Sequence, residues 1–127
     1  MFKRILLPAF KHLQVRQNHN LLSVTEADGI RSITMVDNKT RNCMSMAMMD
    51  NLINEIKKNE DDKSLRVIVL SSTGPVFSAG HNLKELSNDK GFDGQKKVFD
   101  KCHELVKSII FSPIPIISKV DGLAAGE

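Results

Sequence analysis

Apolar and polar positions along this chain follow an order that predicts strand, helix, strand, helix, strand. Residues 29–36 (Gly-Ile-Arg-Ser-Ile-Thr-Met-Val) read as a strand, and the polar stretch 37–42 reads as the turn that ends it. Ser45 stands where a helix N-cap is needed, and Met46, Met49, Ile53 and Ile56 follow at helical spacing as a core-facing stripe. The polar run 57–64 closes that helix. Residues 67–70 (Val-Ile-Val-Leu) are wholly apolar, the mark of a buried strand. A Gly74-Pro75 turn and a bend of small residues, Ser78-Ala79-Gly80, lead into a short helical turn at 83–86. From 94 to 111 the pattern is helical again. Val98, Cys102, Leu105 and Ile109 form one row, with Phe99, Val106 and Ile110 beside it. Pro113 and Pro115 stop the helix, and residues 114–120 read as another buried strand. Strands alternating with helices imply an α/β fold with parallel pairing and crossover helices.

Composition narrows the function. The apolar fraction of 41% and charged fraction of 26% are those of an ordinary globular domain. No stretch approaches the roughly 20 apolar residues that a membrane span requires. The formal charge of +3 belongs to the first 25 residues, which hold Lys3, Arg4, Lys11 and Arg16 and no acid. The remainder carries 14 basic against 15 acidic residues and lacks Trp and Tyr, so nucleic-acid binding is not indicated. The same basic, acid-free leader mixes in Phe2, Ile5, Leu6, Leu7, Phe10 and Leu13 near helical spacing. That describes a mitochondrial transit peptide over residues 1–25, although Pro8 interrupts the helix. Cleavage is expected between Arg16 and Glu26, with the domain proper at 26–127. Cys43 and Cys102 are too few for a disulfide framework and read as small buried hydrophobes. His12, His19, His81 and His103 show no ligand spacing, so no metal is expected.

The chemistry is concentrated at 71–86. A bend built from Ala79 and Gly80 lets backbone approach a ligand closely. It can also leave amide N–H groups unpaired and aimed at that ligand, the raw material of an oxyanion hole. This run, Gly-Pro-Val-Phe-Ser-Ala-Gly-His-Asn-Leu-Lys-Glu-Leu, resembles the first signature of the enoyl-CoA hydratase/isomerase (crotonase) superfamily, in particular a mitochondrial branch of it. The early loop at 39–45 (Lys-Thr-Arg-Asn-Cys-Met-Ser) looks like the family's Arg-Asn-Ala-Leu-Ser run. Residues 113–126 look like the strand and turn carrying its second signature.

The resemblance implies a crotonase-like (ClpP/crotonase) ββα-type fold, covering about residues 29–127 and ending after the first two or three strand–helix units. It implies an acyl-CoA thioester as substrate, no cofactor, a mitochondrial matrix location, and full-length relatives that form trimers or hexamers. Carried over residue by residue, the His81 N–H is one oxyanion donor, and its imidazole is not read as a catalytic base. Ala79 and Gly80 keep the backbone near the thioester, Leu83 walls the pocket, and Arg41 and Cys43 lie near the CoA nucleotide and pantetheine. Asn82 stands where the family has Asp; an amide can still bond locally, but a charge is lost. Lys96, Lys97, Lys101 and Lys107 read as a solvated helix face, with only weak reason to meet CoA phosphates. Glu127 falls near the second oxyanion donor, and the catalytic glutamates of active hydratases lie past it. One missing donor costs ~10²–10³ in rate and missing acid–base help ~10²–10⁴, so turnover by these residues alone is expected to be negligible. The alternative is a non-catalytic product that binds CoA thioesters weakly or associates with full-length family members.

Overall fold

The computed structural model describes residues 14–18 and 20–126. In chain order the elements are strands β1 (Gln14–Asn18), β2 (Leu22–Ala27) and β3 (Ile30–Met35), helix α1 (Met46–Lys57), strands β4 (Val67–Ser72) and β5 (Val76–Ser78), helix α2 (Gly91–Ile110), and strands β6 (Ile116–Ser118) and β7 (Leu123–Ala124). Five strands form one sheet in the order β1-β2-β3-β4-β6, and β5 pairs with β7 in a second, two-stranded sheet. The pairs β3–β4 and β4–β6 are parallel, with α1 and α2 in the crossovers, as the alternating pattern predicts. The antiparallel β1–β2–β3 meander is an addition to that expectation.

The β2–β3 hairpin turns on Asp28 and Gly29, whose φ angles are both positive (53° and 79°). A two-residue turn of that hand matches the right-handed twist of the strands, and Asp-Gly favours it. Cross-strand pairs Leu22–Met35 and Val24–Ile33 then enter the core together. Residues 22–25, which composition alone groups with the leader, therefore form the first part of a core strand. Residues 1–13, most of that leader, lie outside the described residues.

Ser45 caps α1 as expected, its Oγ accepting the Met48 N–H at 3.1 Å. Met49, Ile53 and Ile56 are buried, and Met48 and Leu52 widen the stripe, while Met46 packs at its margin. The helix's far end is closed by an unexpected group. Alternation places Arg31 on the core face of β3, between Ile33 and the sheet's end, and the residue is 1% exposed. Its guanidinium donates to the carbonyls of Glu55 (2.9 Å) and Lys58 (2.6 Å) at the α1 C-terminus, and to the Glu26 carboxylate at 2.9 Å. Helix carbonyls lacking intrahelical partners are thereby satisfied.

Helix α2 buries a narrower stripe than its sequence pattern suggests. Val98 and Leu105 are buried and Cys102 packs against them, but Ile109, Phe99, Val106 and Ile110 are exposed. Lys101 joins the two helices, its Nζ 2.8 Å from both Asp50 and Glu104. These carboxylates, Asp50 foremost, hold its ammonium well above the usual lysine range. The strand expected at 114–120 also needs correction. Only Ile116–Ser118 pair, at the sheet's edge, and Ile117 and Val120 are more than half exposed. Ile114 alone of that run is fully in the core. Proline at 113 and 115 removes donors on the approach, and β6 has a neighbour on one side only.

Exposed Phe92, Phe99 and Ile110 on α2, Phe111 just past it, and Ile117 and Val120 make an apolar surface unusual for a soluble monomer. The chain is expected to self-associate or pack loosely as concentration rises. Size-exclusion and urea unfolding check this; a monodisperse monomer with one sharp transition contradicts it. Among the described residues no helix is long and apolar enough to cross a membrane.

Candidate functional site

Two segments distant in sequence are laced together beside the end of β4. The first is the loop from Asp37 to Ser45; the second is the turn, β5 and bend from Thr73 to Asn82. Arg41 and Asn42 both take left-handed backbone conformations (φ 56° and 51°), which Asn tolerates better than most residues. This aims the Arg41 carbonyl at the bend, where it accepts the Ala79 N–H at 3.0 Å. Met44 donates to the Gly80 carbonyl at 2.9 Å and accepts from the Asn82 N–H at 3.4 Å. Asn42 lies under the lacing, 0% exposed, its Nδ2 donating to the carbonyls of Val76 (3.0 Å) and Thr73 (3.3 Å). Glu85 closes the other end, its carboxylate accepting the Met46 N–H at 2.9 Å at the α1 N-terminus, where a negative charge is favoured.

The pairing determines where His81 points. His81 forms an isolated parallel bridge with Met44, made through its flanking residues Gly80 and Asn82. In a parallel bridge the middle residue's own N–H faces away from its partner. The His81 N–H accordingly finds no acceptor among the described residues. The other amides of the bend are occupied, including Gly80, which donates to Ser78 Oγ at 3.2 Å. Across the bend runs the end of the chain. Strand β7 lies parallel to β5, and the Ala125 N–H donates to the Ser78 carbonyl at 3.0 Å. Gly80 itself is buried at φ +83°, and a Cβ there would come within 2.7 Å of the Ala125 carbonyl oxygen. Glycine is required at this position by both conformation and space.

A cavity of about 380 Å³ opens between Lys39, Thr40 and Cys43 of the loop and residues 81–84 of the turn. It brings together Cys43, His81, Asn82 and Leu83 of the expected site. Ala79 and Gly80 contribute backbone beside it. Arg41 is exposed and serves the bend through its carbonyl, its side chain being outside the cavity lining. Leu83 is among the lining residues and is 77% exposed. Asn82 makes the local bond expected of an amide in place of a carboxylate, its Oδ1 accepting the Lys84 N–H at 3.2 Å. Lys39 and Lys84 flank the cavity without an ion pair among the described residues, and no carboxylate lines it.

The His81 ring sits edge-on to Phe99 of α2, centroids 5.7 Å apart at 68°. Its Nδ1 is buried without a partner. No described carboxylate orients the imidazole, as a general base ordinarily requires. Lys96 pairs with Asp100 on the solvated face of α2. Lys101, 23% exposed, instead turns toward α1 and pairs with Asp50 as well as Glu104, so the expected solvated face does not include it. Both cysteines are free thiols, half-buried where full burial was expected. No group of three or more His, Cys, Asp or Glu suited to a metal occurs among the described residues. Glu127 lies outside them. Asn42 and Glu85, which hold the site together, fall within the two runs that resemble the family's, but neither shows its role in the sequence, because their partners are main-chain groups distant along the chain.

Residues 25–127 match the family model described as enoyl-CoA hydratase/isomerase. The human "enoyl-CoA hydratase domain-containing protein 3, mitochondrial" is 43% identical over 103 residues, covering 81% of this chain and 34% of that protein. The crystal structure of the human domain-containing protein 3 matches with a TM-score of 0.80 at 41% identity, covering 82% of this chain and 41% of that one. An enoyl-CoA hydratase from Mycobacterium smegmatis matches with a TM-score of 0.74 at 29% identity, over 80% of this chain and 40% of the other. The chain thus spans about a third of the length of the curated relative it matches. With the signature bend, the early loop and the parallel α/β core all in place, the chain belongs to the enoyl-CoA hydratase/isomerase family and has the crotonase fold.

Proposed function

We propose that this chain binds an acyl-CoA thioester in the manner of an enoyl-CoA hydratase/isomerase, with the His81 N–H as an oxyanion donor. The observation that carries the reading is that N–H: it alone in the bend lacks an acceptor, between neighbours held by Met44. Ala79 and Gly80 bring the thioester close, and Cys43, Asn82 and Leu83 border its path. Lys39 and Lys84 favour an anionic ligand such as a CoA derivative. Arg41, exposed beside this cavity, is free to approach the nucleotide end. The test is titration of the chain with butyryl-CoA and with free CoA by calorimetry. Saturable binding of the thioester, tighter than that of CoA, is expected; absence of binding by both overturns the reading.

Exposure of α2 and β6 favours a second reading, in which the chain associates with full-length family members. Co-expression with such a relative, followed by co-purification, separates the two.

The relatives' mitochondrial naming and the basic leader support import into mitochondria, and we place the chain in the matrix. Because Leu22 and Val24 are core residues, cleavage belongs upstream of Leu22. A reporter fused to residues 1–21 is expected to enter mitochondria, and replacing Lys3, Arg4, Lys11 and Arg16 with Glu should abolish entry. Diffuse cytosolic signal from the unaltered fusion contradicts the proposal.

A further inference from the structure

We infer that Asn42 is the positioning residue that holds the His81 N–H in its donor orientation, an inference that rests on the reading of that N–H as a ligand-binding group. Asn42 is fully buried, where a polar side chain is uncommon unless it is hydrogen-bonded. What it does is bond. Nδ2 reaches the carbonyls of Thr73 and Val76, either side of the turn that delivers β5 to the bend. Its own N–H donates to the Asp37 carbonyl at 2.9 Å, fixing the loop from which Arg41 and Met44 pair with Ala79, Gly80 and Asn82. A single residue therefore joins both halves of the lacing.

The amide's orientation follows from chemistry. Turned over, it would set Oδ1 against two carbonyl oxygens, with no donor between them. As placed, Oδ1 is buried without a partner. A buried acceptor left unsatisfied is unfavourable, so the side chain sits where its two donors are needed and its acceptor is not. Residues held in that way cluster where geometry matters more than stability. The left-handed backbone at Arg41 and Asn42 is a second sign of the same constraint.

Two variants test this. Asn42→Gly removes the amide while keeping the left-handed conformation easy to adopt. Asn42→Asp keeps shape and conformation but places an ionised carboxylate against two carbonyls. Only the protonated acid can again donate, through its one O–H, and burial against two carbonyls raises the pH at which it protonates above the ordinary carboxylate range. Hydrogen exchange is measured on the full chain without ligand, following Met44, Ala79 and Asn82, with Ile33→Val as a mild core control. For Asn42→Gly these three amides are expected to exchange about ten-fold faster, with the β3–β4 ladder changed no more than in the control. For Asn42→Asp the bend should loosen at alkaline pH, where the carboxyl is ionised, and recover as pH falls and it protonates. A purely structural role would raise exchange everywhere and show no such recovery. Butyryl-CoA affinity should fall about ten-fold for Asn42→Gly, and for Asn42→Asp it should fall and recover with pH in step with the loosening.

Bend exchange indistinguishable from the control in Asn42→Gly, or no pH-dependent recovery in Asn42→Asp, overturns the inference. If Asn42→Gly does not fold, the pH comparison in Asn42→Asp decides alone. Failure of the unsubstituted chain to bind butyryl-CoA defeats the functional reading, while the ligand-free exchange still decides Asn42.

Discussion

Gly80→Val is expected to weaken butyryl-CoA binding by on the order of 100-fold or more, an effect of about 3 kcal/mol. The backbone at Gly80 has φ +83°, where a β-branched residue is strained. Strain alone costs about 1–3 kcal/mol. The new Cβ would also lie 2.7 Å from the Ala125 carbonyl oxygen. That oxygen is a main-chain atom, so it does not turn aside as the end of a flexible side chain would. Relief must come from the bend, and any rotation there re-aims the next N–H, that of His81. His81→Ala makes the complementary comparison: the amide remains, so affinity should stay within a few-fold. Calorimetric titration of both variants, with circular dichroism to confirm folding, reads the result. Normal binding by Gly80→Val, or loss of binding by a folded His81→Ala, would overturn the assignment, the latter by implicating the imidazole.

Much of this arrangement is legible in the order of residues alone, for reasons that differ by element. The run Val67 to Leu70 is apolar on both faces because β4 is central, between β3 and β6. Small residues at 78–80 announce the bend, and at Gly80 a Cβ would run into the Ala125 carbonyl oxygen. Other features are hidden for physical reasons. Strand β2 alternates well as Leu-Ser-Val-Thr-Glu-Ala, but its first four residues continue an acid-free stretch and so read as leader. The Asp28-Gly29 pair is the hairpin signal that reveals the strand. The α2 pattern shows which residues share a face, not how much of that face the chain covers. Phe99 lies on the apolar side and remains exposed apart from its contact with His81. Asn42 sits in the loop run that resembles the family's, yet its role is the hardest to find, since its partners are main-chain carbonyls 31 and 34 positions away. Polar alternation on one strand gives no hint of such bonds.

Arg31→Met is expected to lower the unfolding free energy by about 3 kcal/mol. Methionine fits the volume and suits the core face of β3, so the loss is not one of packing. It comes from the carbonyls of Glu55 and Lys58, each of which loses a charged donor. Hydrogen bonds from a charged group contribute ~1.5–3 kcal/mol each. The ion pair adds less. The Glu26 side chain is 36% exposed and can turn to water when its partner is gone, so its share is discounted for solvent screening. Arg31→Lys separates the contributions. It keeps the charge, but an ammonium is a point donor and cannot span the carboxylate and both carbonyls as the planar guanidinium does. Recovery of roughly half the loss or less is therefore expected. Urea unfolding below the concentration at which the chain associates gives both values. Equal stability of Arg31→Met and the unsubstituted chain would mean that the α1 carbonyls find other partners and that Arg31 is dispensable to the β3–α1 junction.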